Sequence, residues 1–187
     1  MKTRLELPAK DRILQTAHEL FYRDGIRATG IDRIIEQAHV TKVTFYRHFP
    51  SKSDLVIAYL EYRHQIWMNW FQAALASAPK SPGFALSPVI QALKEWFNAD
   101  GFRGCAFING VVELDAAEAR VSDLSLRHKQ DMLDAIATLL PKGKNRSRVA
   151  QAAAMAVDGA IIRMQMEKNP EAALTVLETI LRALYVI

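Results

Sequence analysis

No stretch of this sequence alternates apolar and polar residues as a half-buried strand requires, whereas apolar residues recur at helical spacing from end to end. That property points the 187 residues to an all-α architecture. Half the residues are hydrophobic and 24% are charged, enough apolar mass for a packed core and too much for a disordered chain. No run of 18 uncharged apolar residues occurs; even the alanine-rich segment 150–166 carries Asp158 and Arg163, so no membrane span is expected. Charges at Lys2, Arg4, Glu6, Lys10, Asp11 and Arg12 leave no apolar stretch for a secretory signal. The single cysteine, Cys105, excludes an intrachain disulfide framework and most zinc patterns. The expectation is a cytoplasmic protein with no metal and no cofactor.

The helices are delimited by their own punctuation. Ile13, Leu14, Ala17, Leu20 and Phe21 form one face of a first helix that stops near Asp24-Gly25. Thr29 with Asp32 three residues on has capping-box spacing and is expected to open a second helix, with Ile31, Ile34, Ile35 and Ala38 on its apolar face. Thr41 is the expected cap of a very short third helix, stapled by Val40 and Phe45 and ended by Pro50. Ser51 and Asp54 repeat the capping box and open a long helix through Leu55, Tyr59, Tyr62, Ile66, Trp70 and Ala74. Pro79, Pro82, Gly83 and Pro88 mark a loop over 79–88. Further helices are expected at about 88–100, 105–117, 119–140 and 146–168. Asn169-Pro170 starts the last one, with asparagine as cap and proline at the first helical position.

Charge is uneven along the chain. Residues 1–54 hold ten Lys and Arg against seven Asp and Glu, and within them 41–53 carry Lys42, Arg47 and Lys52 with no acid. A short acid-free basic segment suits a polyanion, although on charge alone a solvated helix face is the simpler reading. The local architecture adds to it. The second helix, a tight turn at Ala38-His39-Val40 and the short third helix make a helix-turn-helix pattern, which leaves the N-terminal end of its second helix free to enter a major groove. With Val40, Phe45 and Phe49 packed on Ile34, Ile35, Leu20 and Phe21, the outward residues would be Thr41, Lys42, Val43, Thr44, Tyr46, Arg47 and His48. Hydroxyls and cations there suit phosphates, Val43 suits thymine methyls, and Lys52 in the next first turn adds a phosphate contact.

The run from Gly25 to Leu55, and above all Thr41-Lys-x-x-Phe-Tyr-x-His-Phe-x-Ser-Lys-x-x-Leu55, resembles the DNA-binding domain of TetR-family transcriptional regulators, with a match reaching over roughly residues 10–60. The resemblance implies a homodimer reading a palindromic operator, with a larger helical domain that binds an effector. Carried over by position, Thr41 to Thr44 would meet bases or nearby sugars and phosphates. Tyr46, His48, Lys52 and Thr29 would hold the DNA backbone. Two positions depart from the family pattern. His39 stands where glycine is usual, at a cost of around 1 kcal/mol for a left-handed backbone. Val43 replaces the usual glycine of the recognition helix and is expected to alter sequence preference. The expected division is a DNA-binding domain over 1–54 and a ligand-binding and dimerisation domain over 55–187.

In the second part, small residues recur along 150–160, and Ala152, Met155, Ala156, Gly159 and Ile162 would share one face. With Leu177, Ile180, Leu181 and Leu184 of the last helix they look like the paired helices that make the dimer in this family, through residues about 146–187; an intramolecular core is the alternative. Candidate effector contacts are Trp67, Trp70, Phe71, Cys105, Phe107 and Asn109, among further aromatic residues His64, Trp96, Phe97 and Phe102, with Glu113 as a second polar group. Plain core is the competing reading of such aromatic residues. Cys105 follows Gly101-Phe-Arg-Gly104, expected in a helix's first turn beside Arg103, where a thiolate is favoured; it is read either as an electrophile sensor or as a packing residue. The Gly104-Cys-Ala-Phe-Ile-Asn109 stretch also resembles a helix start in one branch of TetR-like regulators, in which the cysteine sits near the effector cavity.

No HExxH, GxGxxG or P-loop occurs, and the five histidines form no local ligand pair, so no catalytic or metal residue is assigned. The sequence reads as a ligand-responsive regulator, a repressor released by an apolar or electrophilic small molecule. The alternatives are an effector-independent DNA-binding protein or a small helical enzyme.

Overall fold

The computed structural model describes residues 4–79, 81–114 and 118–184. After a short 3-10 turn at Arg4–Glu6, its helices are α1 (Ala9–Asp24), α2 (Ile31–Gln37), α3 (Lys42–His48), α4 (Lys52–Ser77), α5 (Ser87–Phe97), α6 (Ala106–Leu114), α7 (Ala119–Leu139), α8 (Arg146–Glu167) and α9 (Pro170–Ala183). The architecture is all-α; among the described residues the sole sheet-like feature is an isolated bridge between Ser81 and Phe84. The expected end of the 105–117 helix, at 115–117, lies outside the described residues, as do 185–187 at the end of the expected dimer segment.

Two compact units divide the chain: Met1–Gln65 with Ala106–Ser125, and Ile66–Cys105 with Leu126–Ile187. The boundaries of these compact units fall inside α4 and α7, with α6 and the start of α7 in the unit of the N-terminal helices.

In the first unit α1 packs on α2 and α3. Ile13, Ala17, Leu20, Ile34 and Phe45 are essentially fully buried there, so the apolar faces legible in sequence meet as one core. Gly110 of α6 faces Val121 and Leu60, at a distance where a Cβ atom would make ordinary van der Waals contact. The Ser51–Asp54 capping box forms: the Asp54 amide donates to Ser51 Oγ at 3.1 Å, and that hydroxyl donates to Asp54 Oδ2 at 2.7 Å. Thr29, by contrast, caps nothing. The Gly30 backbone precedes α2, and the buried Thr29 hydroxyl donates to the Gly25 carbonyl at 2.8 Å. The α1–α2 loop folds back on itself at Gly25, whose φ of +94° turns that carbonyl toward the hydroxyl's reach.

The second unit is built around α8 and α9, with α5 also packed on α9. Pro88 lies in the first turn of α5 rather than in the preceding loop. Asn169 caps α9 as expected, accepting from the Ala172 amide at 3.1 Å. A left-handed Lys168 ends α8 one residue earlier. Lys129 of α7 and Asp158 of α8 form a partly buried ion pair. Before Cys105 the chain passes through Gly104 at φ +81°, where a Cβ atom would run into the side-chain amide of Gln165. That amide in turn donates to the Arg103 carbonyl at 3.0 Å.

Candidate nucleic-acid interface and aromatic cluster

The recognition surface follows from how α3 is seated. Phe45 and Phe49 turn inward and are buried, which forces the other side chains of this seven-residue helix out. Thr41, Lys42, Val43, Tyr46 and Arg47 are exposed, Val43 at 72%, while Thr44 and His48 are half-buried. Thr41 caps the helix by accepting from the Thr44 amide at 3.1 Å, and the two hydroxyls lie 2.9 Å apart. Each hydroxyl is thus locally oriented and still at the surface. Tyr46 stands edge-on to Phe45 at 5.2 Å, which fixes its ring and presents its phenol outward.

The turn that aims this helix is held from α1. His39 adopts φ 51°, the left-handed conformation expected at that position. The Arg12 guanidinium spans the turn: Nε donates to the Ala38 carbonyl at 3.0 Å, Nη2 to the His39 carbonyl at 3.1 Å and Nη1 to the Leu7 carbonyl at 2.9 Å. A planar, forked donor is needed for three carbonyls in two segments. Nothing local in the sequence signals this residue, since the contact joins positions 26 and 27 apart.

Among the predicted backbone-holding residues, the Thr29 side chain is buried and its hydroxyl donates to the Gly25 carbonyl. Lys52 is half-buried with its ammonium 6.0 Å from the centre of the Phe21 ring. Burial lowers its pKa from the usual lysine value, and the Glu113 carboxylate opposes that shift. Lys42 sits at 3.8 Å from Asp32 with both side chains mostly in solvent, a weak pairing that a phosphate can displace. Glu113, expected among the effector-facing polar groups, instead accepts from the Arg27 amide at 2.8 Å and steadies the α1–α2 loop. Asp54 is held below the usual carboxylate pKa by the Ser51 hydroxyl first and by Arg120 next.

The second unit gathers an aromatic cluster. Trp67 stacks on Phe71 at 4.6 Å and meets Trp70, Trp96 and His128 at steep angles, with centroids at 5.9, 5.4 and 5.0 Å. Phe102 packs against Trp96 and Phe97. Trp67, Trp70 and Phe71 are therefore brought together. Phe107 and Asn109 belong to the first unit, where Phe107 is buried edge-on to His64 and Asn109 is half-buried. His128 is 2% exposed and was not singled out in sequence; only the fold brings it to the rings.

Cys105 is a free thiol, 4% exposed, immediately before α6 rather than within its first turn. On α8 the residues expected to share a face do so: Met155 is 76% exposed, Gly159 and Ile162 lie beside it on the open side, and Ala152 and Ala156 are half-buried. On α9 the expected residues divide between the two readings. Leu177 and Leu181 point into the core, while Val176 and Ile180 are exposed.

No helix of the described residues is long and apolar enough to cross a membrane, and no group of three His, Cys, Asp or Glu residues suited to a metal occurs among them.

A family model for bacterial regulatory proteins of the tetR family matches residues 13–59. The solved structure of a TetR-family transcriptional regulator from Streptomyces coelicolor is similar at 33% identity and a TM-score of 0.81, covering 95% of this chain and 88% of that one. An uncharacterised HTH-type transcriptional regulator in the lacX 3′ region of Lactococcus lactis subsp. lactis is 27% identical over 114 residues, 58% of this chain and 56% of the relative. The matched segment thus spans about half or less of the curated relatives' length. A cysteine mutant of the TetR-family regulator CifR, solved with 26-bp double-strand operator DNA, shares the fold at a TM-score of 0.75 and 22% identity, over 92% of this chain and 95% of that one.

Proposed function

The chain belongs to the TetR family of DNA-binding transcriptional regulators, and on that premise we propose that it is a homodimeric repressor released from a palindromic operator by a small molecule. The observation that carries the reading is the outward surface of α3. Exposed Lys42, Val43 and Arg47 with the oriented Thr41 and Thr44 hydroxyls surround a helix anchored by buried Phe45 and Phe49. In this reading Thr41 to Thr44 approach the base edges and nearby sugars, while Tyr46, Arg47, His48 and Lys52 grip the phosphates. The CifR mutant bound to operator DNA supports DNA reading by this fold.

Residues 1–54 act as the DNA-binding part and 55–187 as the effector and dimer part. Met155, Ile162 and Met166 of α8 with Val176 and Ile180 of α9 give an exposed apolar face suited to a second copy. Two-fold operators require such a pairing. The aromatic cluster around Trp67, Trp70 and Phe71 supports an apolar effector, with Cys105 in the same unit as a packing residue. The effector acts by binding the operator-incompetent conformation more tightly than the competent one; equal affinity for both would shift nothing. A DNA-reading role places the protein in the cytoplasm.

The test is selection of bound duplexes from a random library at physiological salt with competitor DNA. Enrichment of a two-fold-symmetric site is expected. Recovery of no common site, with only steeply salt-dependent binding, would reduce the protein to a non-specific polyanion binder.

A further inference from the structure

Trp67 is 6% exposed, yet its indole Nε1–H has no hydrogen-bond partner among the described residues. A buried donor left unpaired is costly, and proteins seldom keep one without a use for it. The adjacent indole shows the ordinary solution: Trp70 Nε1 donates to Glu95 Oε1 at 2.8 Å. Trp67 is enclosed instead by the ring of Phe71, stacked at 22°, and by those of Trp70, Trp96 and His128 at steeper angles. Ring faces offer an N–H group only a weak contact.

We infer that Trp67 Nε1–H is the orienting donor for the effector, and that the effector is a neutral, planar, conjugated carbonyl compound. The inference rests on the effector reading above and narrows its chemistry. Flat aromatic walls select a planar guest. A site whose unanswered group is a donor selects an acceptor and discriminates against the analogue that lacks one. A cation would face that donor with like polarity. An anion would be brought toward the Glu95 carboxylate into an apolar nest, and both would lose hydration.

The experiment uses the full chain with two probes of one fused skeleton, 1-indanone and indane, which differ by the carbonyl. Binding is measured by calorimetry, and the three indole N–H signals are followed by nitrogen-15 NMR, with Trp67→Phe assigning its own signal. Indanone is expected to bind about tenfold more tightly than indane, the worth of one well-placed hydrogen bond, and to move the Trp67 N–H signal downfield. In Trp67→Phe the two probes converge on the affinity of indane. Should Trp67→Phe fail to fold, Trp70→Phe and Trp96→Phe identify the Trp67 signal of the natural chain by elimination. Equal binding of the two probes, or a shift confined to Trp70 or Trp96, overturns the donor assignment and leaves an effector site at the cluster standing. Binding of neither probe removes the effector site from the cluster and this inference with it.

Discussion

The two ends of the proposed function are built in opposite ways. Around α3 the polar groups answer one another at short range. Arg12 satisfies three carbonyls, Thr41 caps its own helix, Ser51 and Asp54 close a capping box, and Glu113 takes the Arg27 amide. Around Trp67 the contacts are almost all between ring faces and edges, and one buried donor is left over. Hydrogen bonds fix direction as well as distance, whereas ring contacts tolerate small rotations. A surface that must meet DNA in one register gains from the first kind of order, because less freedom is lost on binding. A core that must admit a guest gains from the second.

The contrast can be broken first at Phe45. Removing this fully buried ring from under the reading surface should cost about 3–5 kcal/mol in chemical denaturation. Val43→Ala, two residues away and 72% exposed, should stay within about 0.5 kcal/mol while changing the selected DNA sequence. Arg12→Ala comes next, with a loss of about 3 kcal/mol and faster amide hydrogen exchange at 38–41. Arg12→Lys should recover little of it, since an ammonium cannot span three carbonyls; full recovery would reduce the clamp to a point charge.

His18 sharpens the comparison through pH. Burial first, and the neighbouring Arg63 charge second, bring its pKa down to about 4 from 6.5. The folded state therefore binds fewer protons than the unfolded one between these values. Its stabilisation is complete above pH 6.5, falls progressively toward pH 4 and changes no further below that. His18→Gln should flatten that limb of a melting-temperature profile; an unaltered limb would assign the acid sensitivity elsewhere. The smallest effect is expected at His39. Glycine at this left-handed position should relieve strain and stabilise the protein by about 0.5 kcal/mol, the gain reduced by glycine's greater freedom when unfolded.

The local grammar was readable. Thr41, Ser51 with Asp54, and Asn169 with Pro170 each combine a capping side chain with the spacing it needs, and the structure begins helices there. The left-handed turn at His39 was legible through the family resemblance, which has glycine at that position. Thr29 misled because its spacing to Asp32 imitates a capping box, while Gly25 offers its hydroxyl a nearer acceptor. Leu177 and Leu181 stayed open between two readings because helical periodicity reveals an apolar stripe without saying whether it meets its own core or a second molecule. The Arg12 clamp, the Glu113 bond and the unpaired Trp67 donor had no sequence signal. Each depends on residues that only the fold brings together, or keeps apart.

Gly104 has a consequence for how this protein can drift. Every amino-acid replacement of a glycine installs a Cβ atom, and at this position a Cβ meets the side chain of Gln165. The atoms met are the far end of a flexible side chain, so Gln165 can swing aside, giving up its bond to the Arg103 carbonyl, and the larger constraint at 104 is conformational. Even then the φ of +81° persists and keeps a penalty of about 1 kcal/mol on the newcomer. Substitution at 104 is therefore filtered by backbone conformation more than by the space that Gln165 occupies.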